Sequence, residues 1–305
     1  MLEDPVRMTA FRNAIFSVVK KGDIVIDLGS GSGILAIWAA KAGAKKVYAI
    51  EETDVADITR EMISANGLVD TIEVLKANSQ NVTIPELADV LIAEIVGHFF
   101  FEEGIVEYVA DVRDRLLKPN ARIIPSGGQI YAAPVELGNN FREVSFWKEW
   151  EELDLTPFAQ KAVNTAYVET ICESQLIGLP IKLFNLDAST WKSCPLNATE
   201  IIIINRDGMI DAVAGWFTLD LGAGVLLKTS PLDVLTHWKQ CIFPLAKPYQ
   251  VQNGDMLKFS ISIEPFEAGS RWDWSLESQG KEHFFEFHQC TITHGNETLI
   301  MNDRF

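Results

Sequence analysis

The sequence predicts a mixed α/β fold in which a parallel-sheet domain is followed by an antiparallel β domain. Up to about Pro125, short β-branched runs alternate with longer helical patterns, which is typical of a parallel sheet covered by helices. A glycine-rich turn follows the first of these runs, where a ligand crevice is expected. After Pro125 the runs are short and lack intervening helices, which indicates an antiparallel sandwich or barrel.

The first domain alternates predicted strands and helices. The strands are predicted at residues 24–28, 46–50, 71–76, 88–94 and 121–124. The helices are predicted at residues 34–42, 55–66 and 105–117. Gly43 and Gly67 follow the first two helices, and we expect Pro119 to end the third.

The second domain begins near residues 125–128, which gives a first domain of 1–125, with an N-terminal helical segment, and a second domain of 126–305. Its clearest predicted strands are residues 129–133, 200–204, 212–219 and 256–263. A charged and aromatic segment at about 139–166 contains Trp147 and Trp150, which share a face if the segment is helical.

Composition limits the classes of function. The chain has 305 residues, of which 48% are hydrophobic, so it can bury a sizeable core. Its 26 Lys and Arg against 42 Asp and Glu give a formal net charge of −16. This charge disfavours direct binding to nucleic acid or to an anionic membrane and suits a basic protein or peptide partner.

The cysteines and the N-terminus indicate in which cellular compartment the protein is expected. Cys172, Cys194, Cys241 and Cys290 form no CxxC pair, so neither a zinc site nor a disulfide framework is indicated. The first residues are too polar for a signal peptide, and no apolar run approaches the roughly 20 residues of a membrane span. We therefore expect no metal, and a cytoplasmic protein, or a nuclear one in a eukaryote.

The sharpest single motif is Asp-Leu-Gly-Ser-Gly-Ser-Gly, from Asp27 to Gly33, where the first predicted strand turns into its helix. Gly29, Gly31 and Gly33 allow a ligand to approach the backbone, and the helix N-terminus behind them supplies unpaired amides. A tight turn alone would also use glycines. A dinucleotide site follows GxGxxG, whereas this segment reads GxGxG.

Two acidic residues near that loop help to identify the ligand. Glu51 lies at the tip of the second strand, 18 residues after Gly33, where it can accept hydrogen bonds from both ribose hydroxyls. Nicotinamide and methionine-derived nucleosides both fit Glu51. Asp27 favours S-adenosylmethionine, because that ligand carries a sulfonium and an ammonium and has no phosphate for a carboxylate to repel.

Two further glutamates frame the loop after the fourth strand. Glu94 ends that strand, at the edge where parallel sheets bind ligands, and Glu103 follows nine residues later. Phe99, Phe100 and Phe101 lie between them and should make the setting apolar. Two carboxylates held there would repel each other unless a cation lies between them, and a planar guanidinium fits bidentately.

Four segments together resemble the protein arginine methyltransferases. Glu94 and Glu103 have the spacing of the family's double-E loop, which accompanies the glycine loop already described. Residues 1–7 resemble its MLxDxxR segment, and residues 236–240, Thr-His-Trp-Lys-Gln, are similar to its THW loop. The likeness covers nearly the whole chain. It implies a Rossmann-like methyltransferase domain, then a β-barrel domain with a dimerisation arm at about 139–166, and hence a homodimer.

For the cofactor, S-adenosylmethionine, the resemblance implies that Arg7 binds the carboxylate of the methionine part and that Glu51 holds the ribose. The loop residues expected to wrap the methionine part are Asp27, Gly29, Gly31 and Gly33. Gln80 stands where the family usually has a glutamate that reaches the adenine amino group, and its side-chain oxygen could accept the same bond.

For the substrate, an arginine in a protein or peptide, the resemblance implies that Glu94 and Glu103 clamp the guanidinium. His237 would pair with Asp4 near the active site, and Trp238 would form a wall of the arginine pocket. The expected reaction is in-line attack of a guanidino nitrogen on the sulfonium methyl group, aided by alignment and charge withdrawal.

Other interpretations stay open from the sequence. The same cofactor domain could methylate a small amine or another side chain, or the chain could be a catalytically silent regulator. A nicotinamide oxidoreductase disagrees with the glycine spacing and with Asp27. Glu102 and Glu103 could instead form the acidic first turn of a helix that begins near Gly104. Ile95 and Val96 replace the Trp-Met of the best-known members, so the degree of methylation is not predicted.

Overall fold

The computed structural model describes residues 2–138, 146–148, 152–192, 195–266, 269–278, 286–294 and 297–299. Much of the predicted arm, including Trp150, lies outside the described residues.

The first domain is a parallel sheet with helices packed on it, as the sequence predicts. Its strands are β1 (Ile24–Leu28), β2 (Lys46–Glu51), β3 (Ile72–Lys76), β4 (Ala88–Ala93) and β5 (Leu117–Ile124). Its helices are α1 (Pro5–Val18), α2 (Ile34–Lys41), α3 (Val55–Ala65) and α4 (Ile105–Leu116). The strand order is β3-β2-β1-β4-β5, and every pair is parallel. Because the order reverses between β1 and β4, the carboxyl ends of those strands border a crevice.

Burial explains why these segments hold their places. All of β1 is buried, since it has a neighbour on each side and helices over the sheet. In α3, Ala56, Thr59 and Ile63 are buried, whereas Ile58 and Met62 are exposed. One stripe of that helix therefore faces the sheet.

The part of the chain that the structure describes contains no helix with the length and apolar character of a membrane span.

The expectation that Pro119 ends the third predicted helix is wrong. That helix, α4, ends at Leu116, and Pro119 lies inside β5. Strand β5 is at the edge of the sheet, and its register with β4 shifts between Ala88 and Val90. An edge strand with an irregular stretch can accept a proline, because the missing N–H is not needed there.

The second domain forms two antiparallel sheets. Its strands are β6 (Gly127–Val135), β7 (Tyr167–Glu169), β8 (Ile181–Asp187), β9 (Leu196–Ile203), β10 (Gly208–Asp220), β11 (Leu226–Lys228), β12 (Gln240–Val251), β13 (Met256–Phe266), β14 (Gly269–Ser278), β15 (Glu286–His294) and β16 (Glu297–Leu299). One sheet has the order β7-β12-β10-β6-β8, with β11 on β10, and the other has the order β16-β15-β14-β13-β9. Trp272 of β14 packs on Phe243 of β12, with ring centroids 5.8 Å apart, so the sheets share a core.

The described part of the arm contains two short helices. Phe146–Lys148 is a short 3-10 helix, and α5 (Thr156–Val163) follows it. Trp147 stacks on Phe158, with ring centroids 5.1 Å apart. The arm begins after Gly138, and the carboxylate of Asp211 accepts the amide hydrogens of Leu137 and Gly138, both at 2.8 Å.

Candidate functional site

The glycine loop lies in the crevice between β1 and β4 and leaves open space beside its backbone. Gly29 and Gly31 both have positive φ, 69° and 49°, which L side chains rarely adopt. A Cβ on Gly29 would lie 2.5 Å from Cγ2 of Ile95, so the loop touches the segment that follows Glu94. A Cβ on Gly31 would have only the Gly29 carbonyl oxygen within 4 Å, at 3.9 Å. Gly31 therefore borders the open side of the loop.

Helix α3 holds the loop in place through a residue that the sequence analysis missed. The hydroxyl of Thr59 donates to the carbonyl oxygen of Gly31 at 2.5 Å. A Cβ on Gly33, the residue that precedes α2, would lie 2.8 Å from Cγ2 of the same threonine. The only feature of the sequence that points to Thr59 is that it is a polar residue among the apolar positions on the buried face of α3.

Asp27 supports the loop from behind, and its predicted contact with the methionine part of the cofactor stays a prediction, since its Oδ1 has no hydrogen-bond partner among the described residues. Its side chain is 0% exposed, and Oδ2 accepts the amide hydrogen of Ala36 at 2.9 Å. Burial raises the pKa of Asp27 to about 7, the Ala36 amide opposes this, and the charge of Glu51 adds to it. Its carboxylate thus fixes the loop to α2 and is a weaker source of negative charge than the sequence suggested.

Glu51 lies at the end of β2 and faces the open side of the same loop. Its carboxylate accepts the amide hydrogen of Gly31 at 3.0 Å and that of Thr53 at 2.9 Å. It also accepts the Thr53 hydroxyl at 2.7 Å. The two carboxylate oxygens can accept about four hydrogen bonds. The protein uses three of these, so Glu51 can accept another from a ribose hydroxyl.

Asp4 and His237 are in contact, as predicted, and join the start of α1 to the second domain. One Asp4 oxygen accepts the Arg7 amide hydrogen at 3.0 Å, and the other accepts both the backbone N–H of His237 at 2.8 Å and its Nδ1–H at 3.0 Å. Burial raises the pKa of Asp4, but these hydrogen bonds outweigh it and leave the pKa below its ordinary value. Burial lowers the pKa of His237, and the Asp4 charge opposes this shift.

Arg7 forms an ion pair within the protein, and its binding to the carboxylate of the cofactor stays a prediction. Its Nη2 forms a buried ion pair with Oε2 of Glu94. Burial raises the pKa of Glu103, and the charges of His98 and Arg7 oppose this rise. Among the described residues, Nε of Arg7 has no acceptor. One guanidinium thus interacts with both predicted catalytic carboxylates and keeps a spare donor.

Trp238 lies beneath Arg7, and its role as a wall of the arginine pocket stays a prediction. The indole is 1% exposed, and its Nε1–H donates to the carbonyl oxygen of Val96 at 2.7 Å. The Arg7 guanidinium lies 5.9 Å from the ring centroid. His98 donates from Nδ1 to the Trp238 carbonyl oxygen at 2.7 Å. The THW segment therefore supports the double-E loop from below.

Gln80 retains its role in binding the adenine amino group only as a prediction. It is exposed and shares an open cleft with Trp191 and with residues of α4, such as Glu107. The neighbouring Ser79 is buried instead, and in the described part of the chain its hydroxyl has no hydrogen-bond partner. A 3-10 turn at Ser79–Asn81 rotates Gln80 outward, and the sequence pattern did not reveal that turn.

The residues present fit S-adenosylmethionine. The open side of Gly31 admits a ligand backbone, and Glu51 can accept hydroxyl hydrogens. The buried Nε–H of Arg7 needs an acceptor, and a carboxylate supplies one. Within the described ranges, no group of three or more His, Cys, Asp or Glu side chains could hold a metal ion.

Comparison with known proteins gives matches over most of the chain. A family model described as the arginine methyltransferase oligomerization subdomain matches residues 126–280, and one described as ribosomal protein L11 methyltransferase matches residues 12–132. Protein arginine N-methyltransferase PRMT10 of Arabidopsis thaliana is 32% identical, over 89% of this chain and 80% of the relative. Protein arginine N-methyltransferase 6 of Danio rerio is 31% identical, over 89% of this chain and 82% of the relative.

Solved structures agree with these matches. The Trypanosoma brucei PRMT1 enzyme-prozyme heterotetrameric complex with AdoHcy has a TM-score of 0.87 and 25% identity, with 96% of each chain covered. The open conformation of Arabidopsis thaliana protein arginine methyltransferase 10 has a TM-score of 0.84 and 28% identity, with 95% of this chain and 96% of that chain covered.

Proposed function

The chain belongs to the protein arginine N-methyltransferase family and uses S-adenosylmethionine to methylate protein arginine, and we propose that Glu94 and Glu103 hold that arginine. The relatives carry the name protein arginine N-methyltransferase, which favours this activity over a small-amine methyltransferase or a silent regulator.

The observation that carries the proposal is the ion pair between the Arg7 guanidinium and Glu94, close enough to Glu103 for the charges of Arg7 and Glu103 to interact. The protein thus already presents a site with the charge and acceptor groups that a substrate guanidinium requires. Methylation needs one guanidino nitrogen left free of these acceptors, and two carboxylates can occupy the other nitrogens.

S-adenosylmethionine, when bound, supplies a methyl group on a positively charged sulfur. The glycine loop and Glu51 orient the ligand, and Arg7 offers its unpaired Nε–H to the ligand carboxylate. Glu94 and Glu103 align the substrate guanidinium and draw positive charge toward its unreactive nitrogens. Asp4 and His237 fix the start of α1, which carries Arg7, against the second domain.

Mass analysis of a peptide substrate tests this function. We expect the purified protein, given S-adenosylmethionine and an arginine-rich peptide, to add a methyl group to arginine side chains. The control is the same peptide with every arginine replaced by lysine, which should stay unmodified. Methyl groups on lysine, or on a small amine and never on arginine, would contradict the assignment.

We also infer that the protein is a homodimer that associates through the arm. Support comes from the match to an oligomerization subdomain and from exposed apolar side chains next to or on α5, such as Leu153, 62% exposed, and Phe158, 53% exposed. Sedimentation should give twice the chain mass, and changing Leu153 and Phe158 together to serine should give the chain mass. A wild-type protein that sediments as a monomer at micromolar concentration would contradict the dimer.

A further inference from the structure

The loop that connects Glu94 to Glu103 turns sharply in the middle. Phe100 has a φ of 78°, which is unusual for a bulky residue, and its amide hydrogen is donated to the carbonyl oxygen of Gly97 at 3.0 Å. The same two residues form an isolated antiparallel bridge. A backbone in this conformation persists only when surrounding contacts determine it.

Aromatic side chains fix the centre of this turn to the second domain. The ring of Phe99 meets Phe243 and Trp272 edge to face, with centroids 5.1 and 5.5 Å away. The ring of Phe100 meets Trp191 and Phe217 at 5.7 and 6.1 Å. These contacts anchor the apex of the turn, but they do not determine where the chain goes after it.

Glu102 closes the turn on the side of Glu103. Both of its carboxylate oxygens accept the amide hydrogen of Phe99, at 2.8 and 3.1 Å. A Cβ on Gly97 would overlap the carboxylate of Glu102, so glycine at that position gives the carboxylate its space. Gly97 does not have positive φ, so its backbone conformation suits other residues.

We propose that Glu102 is a positioning residue that holds this turn closed and thereby places the neighbouring Glu103 for the substrate guanidinium. The proposal rests on the function assigned to Glu103 above. It assigns Glu102 no contact with substrate, because both its oxygens are directed to the Phe99 amide.

The electrostatic surroundings agree with an inward-facing carboxyl. Burial raises the pKa of Glu102 to about 7, the backbone hydrogen bonds oppose this, and the charge of Glu103 adds to it. The thiol of Cys241 lies close enough for the charge of Glu102 to raise its pKa in turn.

Four variants test the proposal. Glu102→Leu removes the acceptor, Gly97→Ala removes its space, and Glu102→Gln keeps one oxygen that can accept the Phe99 amide hydrogen. Glu61→Leu is the matched control, because Glu61 is exposed on α3. For each we would measure kcat and KM for an arginine peptide, the Kd for S-adenosylhomocysteine, and amide hydrogen exchange at Phe99 and Phe100.

We expect Glu102→Leu and Gly97→Ala to lower kcat at least about tenfold, with KM and the Kd changed less than about threefold. Exchange at Phe99 and Phe100 should become faster in both. Glu102→Gln and Glu61→Leu should stay within about threefold of the wild type.

Normal kcat in Glu102→Leu would overturn the proposal, even if exchange became faster. Equal loss in Glu102→Gln and Glu102→Leu would also overturn it, because the amide retains the acceptor. If the wild-type protein does not methylate arginine, the proposed function fails, and exchange alone then decides whether Glu102 holds the turn. If amide hydrogen exchange at Phe99 and Phe100 stayed at the wild-type rate in Glu102→Leu, the conclusion that Glu102 holds the turn would fail as well.

Discussion

At the scale of single residues, Arg7 links the two ligands of the site. It comes from the first turn of α1, pairs with Glu94 and keeps one buried donor without a partner among the described residues. The sequence predicted each member of this group, with Arg7 on the cofactor and Glu94 on the substrate, and both roles remain proposals. It could not reveal their ion pair, because the two residues are 87 positions apart and only the fold brings them together.

Replacing Glu103 with glutamine should separate catalysis from cofactor binding. We expect kcat to fall about 100-fold or more, because charge stabilisation of the reacting guanidinium is lost, while the Kd for S-adenosylhomocysteine changes less than about threefold.

Glu94→Gln should lower kcat by a similar factor and also lower the melting temperature, because it leaves buried Arg7 without its ionic partner.

Glu51→Gln is the contrasting variant for the same assays. We expect it to weaken S-adenosylhomocysteine binding about tenfold with a smaller effect on kcat. Turnover at the wild-type rate by Glu103→Gln would remove the second carboxylate from the mechanism.

The stability of the protein should fall in mild acid, partly through His237. Its folded-state pKa lies below the ordinary value of 6.5, so the folded state disfavours the charged form. The stability contribution is present above pH 6.5 and is lost as the pH falls through the folded pKa. We expect His237→Gln to lose less free energy of unfolding than the wild type between pH 7.5 and about 5, measured by urea denaturation. Parallel pH profiles for the two proteins would contradict this.

At the scale of elements, the sequence predicted the parallel sheet better than the antiparallel sheets. The inner strands β1, β2 and β4 are compact, mostly apolar and mostly buried runs, and glycines after α2 and α3 marked the ends of those helices. Strand β10 runs from Gly208 to Asp220, longer than predicted, and a register shift between Ile210 and Ala212 interrupts its alternation. Pairing order in antiparallel sheets depends on contacts between distant segments, which a local pattern does not contain.

Helix α3 should influence cofactor binding through Thr59, although no ligand contact is assigned to that residue. Thr59→Val keeps the shape but leaves the Gly31 carbonyl oxygen without this donor. We expect a Kd for S-adenosylhomocysteine about 5- to 10-fold weaker, which corresponds to about 1 kcal/mol.

Thr83→Val, at an exposed threonine, is the control for this effect. Calorimetric titration of both variants measures it, and equal affinities would show that the loop does not depend on α3.

At the scale of the whole molecule, the net charge of −16 should attract basic substrates over a distance. We expect KM for an arginine-rich peptide to rise several-fold as salt increases from about 50 to 300 mM, because the Debye length shortens. The value of kcat should change little, since bound charges are screened less. A peptide with one arginine and neutral flanks should show a smaller rise, and equal rises for both peptides would contradict long-range attraction.

The contact between Gly29 and Ile95 limits how the enzyme could be redesigned. The space that a side chain on Gly29 would require is filled by the Ile95 methyl group, 2.5 Å from the ideal Cβ position. Libraries that change residue 95 to alter acceptor choice should therefore be screened for donor affinity as well, because a change of shape at that position reaches the backbone of Gly29. Mutagenesis aimed at new acceptors is better directed at positions whose side chains do not press on the donor loop.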